Sequence, residues 1–191
     1  MKHLITGGAG FIGSHLIKEL LDRQEKVICL DDFCTGNIRN LENFKNNSNF
    51  ELINQSVEKP IKIDVNKIWH LACPGSPKFH LKNPILTSRT NLLGTLNMLN
   101  LAKEINAEFF LASTSEIYGD PEIHPQTEQY KGAVSINGPR ACYDEGKRCA
   151  ETLFWDYRRQ HDVNVKVVRI FNTYGPRMQK NDGRVVSNFI I

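Results

Sequence analysis

The sequence holds no Cys-x-x-Cys pair, and its five cysteines, Cys29, Cys34, Cys73, Cys142 and Cys149, are scattered and odd in number. That argues against a complete disulfide framework and for a reducing compartment. No apolar run approaches membrane-spanning length, so no membrane partner is expected. The formal net charge of +3 is small and the basic residues are dispersed, which excludes the dense stripe of a nucleic-acid binder. Internal repeats and low-complexity tracts are lacking, and no metal is expected. Met1-Lys2-His3 runs directly into a strand and a glycine loop, leaving no room for a signal peptide. The expectation is a soluble cytoplasmic protein. With 191 residues, 40% hydrophobic and 24% charged, the chain suffices for one sizeable core and not for two ordinary domains.

What is present is alternation. Lys2 to Thr6 reads as a strand, Phe11 to Arg23 as a helix and Lys26 to Leu30 as a second strand, a βαβ opening. Further strands are predicted at Phe50 to Asn54, Lys67 to Ala72, Ala107 to Ser113 and Val163 to Phe171, with helices at Asn83 to Ile105 and Arg140 to His161. This order predicts an α/β fold, a doubly wound parallel sheet with helices on both faces. The polar stretch from Asp32 to Asn49 is too long for a tight turn and reads as a loop at a cofactor edge. Val185 to Ile191 has the pattern of the first turns of a helix and stops without a glycine cap or a polar tail, so the sequence reads as cut short.

Thr6-Gly7-Gly8-Ala9-Gly10-Phe11-Ile12-Gly13 follows a strand and opens a helix. Gly7 permits the tight turn, Gly10 permits close approach of backbone to a pyrophosphate, and Gly13 permits the helix to pack on the strand. Asp31 closes the second strand at about the 20-residue spacing expected of an acid that accepts ribose hydroxyls. The same carboxylate would repel a 2′-phosphate, which favours NAD over NADP.

Tyr143 and Lys147 stand four residues apart on one helix face. A phenol is a poor base at neutral pH, and an adjacent fixed cation favours the phenolate, so the pair offers a general base for hydride chemistry. Taken alone, the spacing is also that of an ordinary solvated face. The strand from Ala107 ends in Ala112-Ser113-Thr114-Ser115-Glu116-Ile117-Tyr118-Gly119, bringing hydroxyls and a carboxylate to the sheet edge where ligands bind in such folds. By itself this segment also reads as a polar strand end with a helix cap.

With these motifs the chain resembles the extended short-chain dehydrogenase/reductase family, and within it the branch that decarboxylates UDP-glucuronate. The resemblance runs from the glycine loop to Ile191. It rests on Thr6 to Gly13, His70-Leu71-Ala72, Ala112 to Gly119, Gly138 to Lys147, Arg169 to Met178 and Asp182 to Phe189. Thr114-Ser115-Glu116 is similar to the decarboxylase version, whereas 4,6-dehydratases usually carry Thr-Asp-Glu and many 4-epimerases lack this glutamate. The resemblance implies that Tyr143 removes the sugar C4 hydroxyl proton while NAD accepts the C4 hydride. The carboxylate, now β to a ketone, leaves as CO₂, and reprotonation with hydride return gives UDP-xylose in a redox-neutral cycle. Lys147 would hold the cofactor ribose and favour the phenolate, Thr114 would position the C4 oxygen, and Ser115 and Glu116 would orient the sugar and manage protons. Implied cofactor contacts are Gly7, Gly10, Phe11, Ile12, Gly13, Asp31, Asp32, Thr35, Gly36, Val57, Leu71, Cys73, Thr90, Tyr143, Lys147, Thr173 and Arg184. Implied substrate contacts are Arg89, Asn97, Asn172 and Asn188. A homodimer through the helices beginning near Asn83 and Arg140 is implied as well.

The sequence departs from the family pattern at Ser56, where an aspartate near the adenine is usual, and at Cys73, a position commonly small or hydroxylated. The larger departure is length. Residues 1–191 are expected to form the NAD-binding domain, with the substrate-capping portion missing, which leaves open whether this polypeptide alone is active. Two further readings stand beside the decarboxylase: a non-catalytic NAD-binding dimeric module assembled through Leu92, Leu93, Leu96 and Leu99, and a related nucleotide-sugar epimerase or dehydratase.

Overall fold

A computed structural model describes residues 1–190. Six strands, β1 (Lys2–Thr6), β2 (Lys26–Asp31), β3 (Phe50–Asn54), β4 (Lys67–His70), β5 (Glu108–Thr114) and β6 (Val165–Ile170), form one sheet in the order β3-β2-β1-β4-β5-β6. Every pairing is parallel, with Thr6 beside Leu30 on one side and His70 on the other. This is the doubly wound order, and the chain reverses direction across the sheet between β1 and β4.

Side chains alternate across a strand, so β1 and β2 feed two cores. Leu4, Ile28 and Leu30 join Ile68, Phe109 and Leu111 beneath α4 (Thr95–Ile105) and α5 (Ala141–His161), with Met98, Leu99, Ala150 and Phe154 closing that layer. Ile5, Val27 and Cys29 face α1 (Phe11–Asp22), which contributes Ile17, Leu20 and Leu21. The buried residues of α5 are Lys147, Ala150, Glu151 and Phe154, a stripe at i, i+3, i+4 and i+7. Tyr143 lies one turn before that stripe, so the Tyr143–Lys147 pair sits on the sheet-facing side and the solvated-face reading falls. Phe154 is 1% exposed, and burying such a side chain contributes roughly 1.5–3 kcal/mol, which fixes the helix that carries the pair. Glu151 adds a two-point ion pair with Arg169 of β6, at 3.2 and 2.9 Å.

Two expectations are corrected and one is refined. The helix anticipated from Asn83 to Ile105 runs unbroken from Pro84 to Ile105 as α3 (Pro84–Arg89), a π turn (Thr90–Gly94) and α4, and is preceded by a short α2 (Pro77–Lys82). A Cβ on Gly94 would lie 2.6 Å from Val57 Cγ2, so the wide turn falls where the backbone presses on the loop after β3. Strand β4 ends at His70 instead of Ala72: Leu71 N–H still donates to Thr6 O of β1, but Ala72 N–H turns to Thr6 Oγ1, and both residues line the cleft described below. The stretch after Asp31 is not all loop, since Ile38–Phe44 forms a 3₁₀ turn whose Leu41 and Phe44 enter the α1 core. The last helix, α6 (Val185–Ile190), begins where the pattern placed it, and Ile191 lies outside the described residues.

Among the described residues, no helix is long and apolar enough to cross a membrane. On the α1 side of β4–β6 the sheet carries an open apolar groove formed with Leu16, Trp69, Phe110 and Val168, the last 39% exposed.

Candidate active site

The carboxyl ends of β1, β2, β4, β5 and β6 open into one cleft of about 540 Å³. Its floor is the glycine loop. Gly7 adopts φ +70°, donates its N–H to Leu30 O at 2.9 Å, and has Ala72 N only 2.8 Å from where a Cβ would stand. A Cβ on Gly13 would meet Gly7 O at 2.4 Å, so helix α1 and the loop touch backbone to backbone. Helix α1 starts with no side-chain cap and no acid in its first turn, which suits an anion at its N-terminus.

Asp31, 7% exposed, stands beside this loop and accepts from Ala9 N–H at 2.9 Å and Phe33 N–H at 2.8 Å. Burial pushes its carboxyl up, and these two N–H bonds pull it back. A carboxylate offers about four acceptor positions, so half remain for ribose hydroxyls. Loop, helix end and acid together fit a dinucleotide.

The opposite end of the cleft gathers the groups capable of proton transfer. Thr114 closes β5, and its Oγ1 accepts the Glu116 N–H at 3.2 Å, capping the 3₁₀ turn Ser115–Tyr118. The same threonine acts on the Tyr143 phenol, favouring its charged form. Lys147, 5% exposed, donates Nζ to Ala112 O at 2.8 Å. One expectation is corrected here: Tyr143 is pushed well above the ordinary phenol range. Burial dominates, the charges of Cys73 and Glu116 add to it, and Thr114 and Arg184 oppose it. Deprotonation of Tyr143 therefore calls for a further positive charge in the cleft.

Of the expected residues, Gly7, Gly10, Phe11, Ile12, Gly13, Asp31, Asp32, Thr35, Gly36, Val57, Leu71, Cys73 and Thr90 line the cleft. So do Thr114, Ser115, Glu116, Tyr143, Lys147, Asn172, Thr173 and Arg184. Arg89, Asn97 and Asn188 do not. Arg89 pairs with Glu58 at 2.5 Å, Asn97 donates Nδ2 to Val57 O at 2.9 Å, and Asn188 is an exposed residue of α6. Arg89 and Asn97 thus brace the loop after β3. At the position where an aspartate is usual, Ser56 is flanked by Gln55 and Val57, and these two residues line the cleft in its place. The thiol of Cys73 is pushed up by burial and lies 3.6 Å from Pro74 O.

Sequence reasoning missed two neighbours of Tyr143. His80, fully buried, lies against its ring, and no periodicity marks that contact across elements. Arg140 lines the cleft and pairs with Glu116 at 2.6 Å. Its i, i+3 relation to Tyr143 was the available signal.

The family model described as GDP-mannose 4,6 dehydratase matches residues 4–191. The chain belongs to this family. Among curated relatives, this family member is 58% identical over 188 residues to UDP-glucuronic acid decarboxylase 1 of Xenopus tropicalis, covering 98% of this chain and 45% of the relative. It is 56% identical over 191 residues to UDP-glucuronic acid decarboxylase 6 of Arabidopsis thaliana, covering 100% of this chain and 56% of the relative. The chain therefore spans about half the length of the curated relatives it matches. A solved UDP-N-acetylglucosamine 4-epimerase from Methanobrevibacter ruminantium, in complex with UDP-N-acetylmuramic acid, superposes with TM-score 0.89 at 26% identity, over 99% of this chain and 61% of that one. A dTDP-glucose 4,6-dehydratase from Streptomyces venezuelae with NAD bound gives TM-score 0.88 at 26% identity, over 100% and 61%.

Proposed function

We propose that these residues form the NAD-binding, proton-transferring part of a UDP-glucuronate decarboxylase that makes UDP-xylose. The observation that carries the reading is the convergence of Thr114, Tyr143, Lys147 and Glu116 on one cleft with the glycine loop and Asp31. The names of the curated relatives support the same substrate and reaction. Tyr143 takes the C4 hydroxyl proton, with Thr114 holding both the phenol and the sugar oxygen. NAD would supply the C4 hydride acceptor, a positive charge that favours the phenolate, and the hydride that returns. Lys147, fixed on Ala112 O, holds the cofactor ribose and favours the phenolate. Ser115 and Glu116 orient the sugar and handle protons as the carboxylate, β to the new ketone, departs as CO₂.

The reading extends to a cytoplasmic homodimer whose substrate-capping part lies outside residues 1–191. Five unpaired cysteines favour a reducing compartment. Ile85, Leu92 and Leu93, 76%, 42% and 37% exposed on α3 and the π turn, offer an apolar surface for a second copy.

Native mass spectrometry of the chain with NAD and UDP-glucuronate, followed by sugar product analysis, tests this. Retained NAD with UDP-xylose supports the decarboxylase. A C4 epimer or a 4-keto-6-deoxy sugar would assign the epimerase or dehydratase instead. Retained NAD with no product, and none from a Tyr143-dependent step when the relatives' missing half is supplied, would leave a cofactor-binding module.

A further inference from the structure

A chain of buried polar side chains runs behind the cleft, from helix α4 to the glycine loop. Thr95 opens α4, His70 closes β4 and Thr6 closes β1, and they are 1%, 2% and 0% exposed. His70 Nε2 is 3.2 Å from Thr95 Oγ1, and His70 Nδ1 is 2.8 Å from Thr6 Oγ1. Thr6 Oγ1 also accepts the Ala72 N–H at 3.1 Å. Ala72 lines the cleft, and its N lies 2.8 Å from where a Cβ on Gly7 would stand, so it is the backbone wall behind the first turn of the glycine loop. Burial, with Lys147 adding to it, pushes His70 down to about 3, so the ring is neutral and carries a single proton.

We propose that His70 is a positioning residue for the dinucleotide site: it orients the Thr6 hydroxyl to accept the Ala72 N–H and so holds Ala72 against Gly7. The direction of the protons carries the argument. Thr6 Oγ1 receives the Ala72 N–H and has its own proton to give, and among the described residues Nδ1 is the acceptor within its reach. Nδ1 is therefore bare, and the ring proton sits on Nε2, where Thr95 Oγ1 accepts it. With the proton on Nδ1 instead, the Thr6 oxygen would face two N–H donors while its own proton was buried without an acceptor. Thr95 thus sets the His70 tautomer from behind the cleft, and His70 passes that choice through Thr6 to the backbone beside the loop. The inference rests on the cleft being an NAD site, and its test therefore reads the Ala72 wall as well as NAD.

Long-range 1H–15N spectra of the wild-type chain read the tautomer, with the proton expected on Nε2. Calorimetric NAD titration and hydrogen exchange at the Ala72 amide then compare wild type with His70→Leu, His70→Asn, Thr6→Val and Thr6→Ser. His70→Leu and Thr6→Val are expected to weaken NAD binding and speed Ala72 exchange by about tenfold, the scale of one buried polar group left without its partner. His70→Asn keeps an acceptor one bond from Cγ, where Nδ1 stood, and Thr6→Ser keeps the hydroxyl, so both should stay near wild type. A histidine that only filled space would lower the melting midpoint without this split between Leu and Asn. A proton on Nδ1 overturns the proposal even if no variant folds. So does NAD affinity and Ala72 exchange unchanged in His70→Leu and Thr6→Val, or an equal loss in His70→Asn. Wild type that binds no NAD faults the cofactor reading, and the tautomer and Ala72 exchange then decide the role of His70.

Discussion

His80 lies face to face with Tyr143, ring centroids 4.3 Å apart and planes inclined by 17°. The histidine is fully buried, and its Nε2 donates to Pro74 O at 2.5 Å, so the phenol ring rests on a wall tied to the loop after β4. Burial, with Arg140 and Lys147, lowers the imidazole's basicity, which keeps that wall neutral. His80→Ala removes the wall. Turnover by a catalytically competent protein is expected to fall about ten- to a hundredfold through misplacement of the phenol, and stability by about 2–4 kcal/mol. His80→Phe keeps a flat ring and should recover most of the turnover. Rate assays beside urea melts decide this, and unchanged turnover in His80→Ala would detach His80 from the Tyr143 geometry.

Gly13 and Gly75 make a matched pair for the nucleotide loop. A Cβ on Gly13 would sit 2.4 Å from Gly7 O and 2.7 Å from Gly8 Cα, backbone that cannot move without opening the loop. A Cβ on Gly75 would meet nothing within 4 Å. Gly13→Ala is expected to lose about 1–3 kcal/mol or more and to weaken NAD binding at least about tenfold. Gly75→Ala should leave the melting midpoint as it was. Calorimetric NAD titration and thermal melts on both variants check the contrast.

Much of this was legible in the sequence because it is local. Two-residue alternation in β1 and β2 and the glycine spacing before α1 are properties of contiguous segments, and the strands fell within three residues of the expected ends. The Tyr143–Lys147 pair was legible for the same reason. What escaped depends on elements meeting. The π turn at Thr90–Gly94 lies where Gly94 meets Val57 from another segment, and no periodicity in residues 83–105 contains Val57. The pressure on the Tyr143 phenol comes first from its burial, with Cys73 and Glu116 adding to it, so counting one lysine one turn away gave the wrong direction. His80 and Arg140 join the site through tertiary contacts of the same kind.

Asp31 sets the expected coenzyme choice. Its carboxylate is buried at the end of β2 and braced by Ala9 and Phe33 N–H groups, so it cannot swing away from a 2′-phosphate. Wild type is expected to bind NAD far more tightly than NADP. Asp31→Ala removes the ribose acceptor and the repulsion together, lowering NAD affinity by about tenfold and narrowing the gap to NADP. Parallel titrations with both coenzymes would sink the assignment if their ratio were unaltered by the substitution.

Asp144 links the Arg140–Glu116 cluster to pH. Burial pushes its carboxyl from 3.8 to about 6, with Glu116, Glu145 and Asp120 adding repulsion and Arg140 opposing them. A group whose value is raised on folding binds its proton more tightly in the folded chain. Its stabilising contribution is complete below about 4 and disappears as pH climbs through about 6. Near neutrality the folded protein therefore holds a carboxylate that the unfolded chain would solvate better, a penalty on the order of 2 kcal/mol. Asp144→Asn escapes that penalty, because a neutral amide at the same place has no charge to desolvate. The variant is expected to be more stable than wild type at pH 7 and nearly equal to it at pH 4. Urea midpoints at a series of pH values measure the difference directly. A gap of the same size at pH 4 and pH 7 would mean that Asp144 is not the group that titrates here.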